Sequence, residues 1–305
     1  MQNKNCKIFV ASISIILLIT PVSALGLNLN QKKLEISNNT LNSDLETDDV
    51  EYYALIVGIA TFAGGNIYPE EDKIDDDAIN MYNLLLESKN WKEENIKLLI
   101  NENATKDKIQ DSIVSWLDER EDENDVVLIY YSTHGWKLKL NKRHLGNAYI
   151  FTYNQTEENR LEDKITDKEF DSYVDELESN HITIILGSCY SGRMLQLRQI
   201  GRVMLAAGGK YFFCGVDEDD TLGGGIFTYF IQQGLKGVAD INNDGWVTAE
   251  EAFFYARLPT IHFSIYKQFP FVIEWMNQSI IWFFQVPRMY DRYPGSLKLY
   301  QYEKD

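Results

Sequence analysis

Cysteine is scarce: the 305-residue chain holds three, and Cys6 lies in an N-terminal stretch of targeting character. Cys189 and Cys214 alone are too few for a disulfide scaffold. A single Cys189–Cys214 bridge or a reactive thiol are the readings left open. Positive charge is also short, with 29 Lys and Arg against 46 Asp and Glu and a net charge of −17. Phosphate backbones are bound by clustered Lys and Arg, so nucleic acid is excluded as a partner, and the acidic balance favours cationic partners or a divalent metal. Long apolar runs are missing as well. The aromatic region Ile261–Val286 is interrupted by Lys267, Pro270, Glu274, Asn277 and Gln278, leaving no run of about 18 residues of the kind a spanning helix needs. It reads as an extension, 261–305, packed on the preceding domain. His144, His181 and His262 lack metal-ligand spacing, and no internal repeat is present.

What is there begins with targeting. Lys4 and Lys7 precede an apolar stretch from Ile8 to Thr20 and the small-residue step Val22-Ser23-Ala24, the pattern of a secretory signal peptide over 1–24. The alternative, an uncleaved anchor, meets an apolar stretch shorter than a spanning helix. Cleavage removes two lysines and no acids, which takes the net charge from −17 to −19 and makes the mature chain a secreted or cell-surface protein with no stable membrane span. Residues 25–50 are polar and Asn-rich without a period, and read as a linker or pro-segment.

From Glu51 onward, strand-like and helix-like segments alternate. The strand candidates 52–59, 95–101, 125–135, 181–189 and 202–216 are apolar on consecutive positions, which means burial on both faces of a parallel sheet. Helices are expected over 75–87, 106–120, 166–177 and 225–235. This alternation predicts an α/β layer sandwich over 51–260, and in such sheets the chemistry collects beyond the carboxyl ends of the strands.

Two strand candidates end on reactive residues. "VVLIYYSTHGW" presents His134 and Gly135, and "ITIILGSCYSG" presents Cys189 between Gly187 and Gly192. A thiolate is the attacking species, and a neighbouring imidazole can hold or remove its proton near neutral pH. Small neighbours admit a substrate backbone, and the N–H groups of Gly135 and Cys189 are candidates for an oxyanion site. Taken singly, each residue is also what an ordinary core would contain. Matched at two strand ends, they point to a dyad.

These segments resemble the caspase-like cysteine peptidases, the group of caspases, metacaspases and legumain. The 55 residues from His134 to Cys189 compare with about 50 in caspases, and "ALIVGI" followed by "DDDAINMYNLLL" resembles the first strand and helix of metacaspases. The resemblance implies a three-layer αβα sandwich on a mostly parallel sheet of about six strands. It implies a cysteine endopeptidase acting on polypeptides, with Cys189 as nucleophile, His134 as acid/base and no organic cofactor. It also suggests an acidic pocket lined by Asp77 and Asp217, for Lys or Arg before the scissile bond, with Asn or Asp as the alternative. The sequence departs from the pattern at Gly187, because many relatives carry Asp or Glu two residues before the nucleophile.

A second motif is "DINNDGWVTAEE", 240–251, which fits the twelve-residue EF-hand-like calcium loop: Asp240, Asn242, Asp244, the Trp246 carbonyl, Thr248 and Glu251 as ligands, with Gly245 at the bend. The same letters also serve an Asx-Gly turn followed by a capped helix. A transpeptidase of the same fold and a non-catalytic calcium-binding module are the competing functions.

Overall fold

The computed structural model describes residues 50–65, 73–139, 145–156, 163–209, 222, 224–274 and 285–303. The expectations on 1–49, His144, Asp217 and Cys214 lie outside them. In chain order the elements are β1 (Tyr52–Gly58), α1 (Ile74–Leu86), β2 (Ile96–Ile100), α2 (Lys106–Asp111, continued as a wider coil over Ser112–Leu117), β3 (Val126–Ser132), β4 (Gly135–Lys139), β5 (Leu145–Phe151) and β6 (Lys164–Thr166). They continue with α3 (Asp167–Val174), β7 (His181–Leu186), β8 (Arg202–Ala206), α4 (Ile226–Gln233), β9 (Trp246–Thr248), α5 (Ala249–Glu274), β10 (Arg288–Asp291) and β11 (Lys298–Gln301).

The main sheet has six strands in the order β10-β8-β7-β3-β1-β2. All its pairings are parallel except that of β10 with β8. Both faces are buried, as consecutive apolar positions require. Leu55 and Val57, Val127 and Ile129, and Ile182 and Ile184 face one core, with Ile109, Ile113, Phe170 and Val174 from α2 and α3 and the coil after α2. Ala54 and Ile56, Leu128 and Tyr130, and Ile185 face the other, with Ala78, Met81 and Leu85 of α1, Phe227 and Ile231 of α4, and Ala252 and Phe253 of α5. The α/β sandwich and its sheet of six mostly parallel strands are therefore present.

Three features depart from the sequence reading. Strands β4, β5 and β6 form a small antiparallel sheet of their own, which their short mixed-polarity stretches did not announce. The strand expected over 202–216 ends at Ala206. The division at residue 261 falls inside α5, and 285–303 supplies an edge strand to the main sheet and, in β11, a partner for β9. Among the described residues no helix is long and apolar enough to cross a membrane.

The amino ends of β3 and β7 are fastened by polar side chains. Glu121 accepts the N–H groups of Glu178 (2.9 Å) and Ser179 (2.8 Å), and the Ser179 hydroxyl donates to the Asp125 carbonyl (2.7 Å) and accepts from His181 N–H (3.0 Å). Asp125 in turn accepts the Glu51 N–H at 2.7 Å, just before β1. Burial pushes the Glu121 carboxyl from 4.5 up to about 7, against the opposing pull of those two N–H donors. A carboxyl raised on folding contributes stability that is complete below about 4.5 and is lost as pH rises through about 7. Thermal melting of Glu121→Gln, compared with wild type between pH 5 and pH 8, is expected to shift in favour of the variant as pH rises. A constant difference across that range would remove this role.

Candidate active site

The β3–β7 ladder decides where the reactive residues emerge. It registers Val126 with His181 and continues pair by pair to Tyr131 with Leu186, a constant offset of 55 residues. The same offset separates His134 from Cys189. Each therefore lies three residues beyond the last registered pair, on the carboxyl edge of adjacent strands. The Gly187 N–H donates to the Tyr131 carbonyl at 2.7 Å and carries the pairing one step further.

The two strand ends then touch. A Cβ built on Gly135 would stand 2.5 Å from the Cys189 carbonyl oxygen and 3.1 Å from Ser188 Cβ. Only glycine lets the backbone beside His134 lie this close to the backbone of Cys189. Cys189 is partly exposed, and the bridge reading falls on Cys214, outside the described residues. The His134 ring, also partly exposed, sits in an aromatic corner with Phe62 and Phe151, at ring centroid distances of 6.1 and 6.4 Å. The His134 carbonyl accepts the Phe151 N–H at 3.1 Å, so β5 helps to fix its backbone.

Beyond Cys189 the chain turns sharply. Tyr190 adopts φ 58°, ψ 12°, left-handed for a side-chain-bearing residue, and is buried beneath β4. The Trp136 ring meets it edge-on at 5.7 Å, and the Lys137 ammonium lies 4.7 Å from its centre. The next turn is tied to the chain after β8: Gly192 N–H donates to the Gly208 carbonyl (2.9 Å) and Gly208 N–H to Ser191 Oγ (3.1 Å). Tyr290 on β10 donates its hydroxyl to the Gly192 carbonyl at 3.0 Å.

Asp77 is on the first turn of α1 and is buried, 3% exposed. Its Oδ2 accepts from Thr228 Oγ1 (2.8 Å), Ser132 Oγ (3.0 Å) and Gly225 N–H (3.0 Å). Burial pushes this carboxyl from 3.8 up to about 7, in spite of these donors. Ser132 was visible in "YYSTHGW" as the residue two before His134. Thr228, Tyr190 and Tyr290 had no signal, since their roles depend on contacts between distant elements. At Gly187 the structure supplies a reason for the departure noted above. A Cβ there would be 2.8 Å from Thr228 Cγ2 and 3.2 Å from Ser132 Oγ, so no acidic side chain fits while Thr228 is in place.

Loop 240–251 forms the sharp turn its letters require, with Asn243 at φ 56° and Gly245 at φ 92°. Its acids are directed at nearby donors. Asp240 accepts from Gly245 N–H (2.9 Å) and the Tyr302 hydroxyl (2.8 Å), Asp244 from Trp246 N–H (2.9 Å), and Glu251 from Ile241 N–H (3.2 Å) and Thr248 N–H (3.0 Å). Asn242 accepts the Asp244 N–H at 2.9 Å. Among the described residues no three His, Cys, Asp or Glu side chains gather as a metal centre.

The family model "Metacaspase, peptidase C14 domain" matches residues 53–198, a span that contains both strand ends and both reactive residues. The match supports a caspase-like cysteine peptidase superfamily for this part of the chain. No curated protein matches the chain. Among solved structures, the crystal structure of protein GSU0716 from Geobacter sulfurreducens is similar in fold, with a TM-score of 0.52 at 12% identity, covering 83% of this chain and all of that one. The matched span ends at residue 198, so the side chain that fills the space beside Gly187, Thr228, comes from outside it.

A crowding test follows. Gly187→Ala is expected to lower stability by roughly 1–3 kcal/mol, the usual cost of overpacking. Thr228→Ser, which deletes the obstructing methyl and keeps the hydroxyl, is expected to restore most of it in the double variant. Additive losses in urea unfolding would show that the two positions do not compete for space.

Proposed function

We propose that the chain is a cysteine endopeptidase. The observation that supports this reading is the shared offset, which brings His134 and Cys189 to the same level on adjacent strand ends. The Cys189 thiolate attacks the peptide carbonyl, and the Gly135 and Cys189 N–H groups receive the oxyanion. His134 transfers a proton to the leaving amine as the C–N bond breaks. Water then hydrolyses the thioester, releasing the carboxylic acid and returning the proton to the Cys189–His134 pair. Lys or Arg, or otherwise Asn or Asp, precedes the cut, and secretion follows from the signal-like residues 1–24.

The test is hydrolysis of fluorogenic peptides bearing Lys, Arg, Asn or Asp at that position. Cys189→Ala and His134→Ala are each expected to cost on the order of 10³-fold or more in kcat/KM, the scale seen when a nucleophile or its partner is removed. Equal turnover by wild type and Cys189→Ala would overturn the assignment.

Calcium at loop 240–251 is a second part of the proposal, supported by the shape of the turn. Binding requires Glu251 to exchange the N–H groups it now accepts for the cation. Calcium is expected to raise the Tm of wild type and not that of Asp244→Asn, which keeps an acceptor and loses the charge. No calcium-dependent rise in wild type would eliminate it.

A further inference from the structure

We propose that Asn101 is a positioning residue for His134 and acts on it through Phe62. The catalytic consequence rests on the peptidase reading above, while the placement of the imidazole beside Cys189 can be measured separately. Asn101 is the first residue after β2 and adopts φ 45°, a left-handed conformation that asparagine tolerates better than most residues with a side chain. Its Oδ1 accepts the N–H groups of Ala60 (2.9 Å) and Thr61 (3.1 Å), and its Nδ2 donates to Asp75 Oδ2 at 2.7 Å. The preceding N–H, that of Ile59, still donates to the Ser132 carbonyl on β3 at 3.0 Å. One amide therefore takes over the two N–H groups with which the chain leaves β1, and the Asp75 carboxylate fixes which way round that amide sits.

From Asn101 the hydrogen bonds run in a circuit back to the same loop. The Asn101 carbonyl accepts the Ala104 N–H (2.7 Å), the Ala104 carbonyl accepts the Tyr153 N–H (3.0 Å), and the Tyr153 carbonyl accepts the Ala63 N–H (2.9 Å). Phe62 lies between the two points of attachment, Thr61 and Ala63, and is buried. Its ring stands 6.1 Å from the His134 ring and meets Phe151 edge-on at 6.0 Å. Phe151 is fixed from β5, where its carbonyl accepts the Tyr131 hydroxyl at 2.8 Å. The imidazole thus packs against one aromatic ring held by the sheet and one held by the circuit that Asn101 closes. Side chains locked by packing and by the hydrogen bonds behind them are what keep a reacting group in place. Removing the Asn101 amide releases the chain on one side of Phe62, and His134 gains freedom to turn away from Cys189.

The experiment follows alkylation of Cys189 by iodoacetamide as a function of pH, with peptide mapping, beside kcat and KM for peptide hydrolysis. It compares wild type with Asn101→Gly and Phe62→Leu. Glycine accepts the left-handed backbone, so Asn101→Gly removes the side chain without adding strain. Phe62→Leu keeps an apolar group and loses the ring, and it decides the question if Asn101→Gly does not fold. A thiol paired with an imidazole ionises below the value of about 8.5 for a free one. Both variants are expected to move the alkylation midpoint upward toward that value. They are also expected to lower kcat about ten- to a hundredfold, the scale of small misplacements at reacting groups, with KM nearly unchanged. The double variant Asn101→Asp/Asp75→Asn exchanges donor and acceptor across the same link and is expected to return both readouts toward wild type. An unchanged midpoint in both single variants would overturn the proposal, as would a shift in Asn101→Gly without one in Phe62→Leu. The midpoint also separates this inference from the peptidase reading. If wild type and Cys189→Ala hydrolyse peptides equally, that reading falls, while a shifted midpoint still supports the placement of His134 and an unshifted one counts against both.

Discussion

Six registered pairs between β3 and β7 hold the site together, because a parallel ladder buried on both faces has almost no freedom to slip. A shift of one residue would turn Ile129 and Ile184 out of one core and Leu128 and Ile185 out of the other, reversing the side-chain set of a strand against two packed layers. The offset of 55 residues is therefore enforced by burial along the strands, far more strongly than contacts at the reacting groups could enforce it. Polar groups then lock the two ends. Glu121, Asp125 and Ser179 fasten the amino ends, and the hydrogen bond from Gly187 N–H to Tyr131 extends the ladder at the carboxyl ends. The reactive pair inherits its placement from both.

The chain's negative charge has little to do with this arrangement. The acids that matter structurally are buried, and neutral donors satisfy them: two backbone N–H groups at Glu121, and two hydroxyls and one N–H at Asp77. Desolvation outweighs those hydrogen bonds at both, so both carboxyls are pushed up toward neutrality. A buried cation is found instead at Arg202, which binds Asp171 at 3.0 Å and the exposed Asp175 at 2.7 Å and pins the end of α3 to the start of β8. Charge is used here to join layers, while the reactive edge is shaped by glycine, hydroxyl and aromatic groups.

This division explains what the sequence reveals. The five parallel strands and the helices between them were legible because each is a long apolar or amphipathic run, and His134 and Cys189 were legible because each follows such a run. The β4-β5-β6 sheet and strands β10 and β11 were not, since their short stretches of mixed polarity acquire meaning only from the strands they pair with. Asp77 could be picked out as a candidate, but not its surroundings. Its partners Gly225 and Thr228 lie about 150 residues further along the chain, and nothing local in "GGGIFTYF" announces a carboxylate. Gly187 is the clearest case. In the sequence it is a missing acid, and in the structure it is a position already occupied by the methyl of Thr228.

Tyr190 adds the last constraint on the thiol. A left-handed conformation in a residue with a side chain costs about 1–3 kcal/mol and persists only where its surroundings over-determine it. Here Trp136 and Lys137 hold the ring from β4, and the residues after it are bound to Gly208 and Tyr290. The strain is placed directly after Cys189, where it forces the chain to leave the strand direction at once. Continuing in β geometry would carry the following residues across the carboxyl edge of the sheet. The turn leaves the thiol at the end of the strand with the chain behind it withdrawn beneath β4. Gly135, pressed against the Cys189 carbonyl, limits movement from the other side. The position of Cys189 is thus set by a ladder before it, a strained turn after it and a glycine contact beside it.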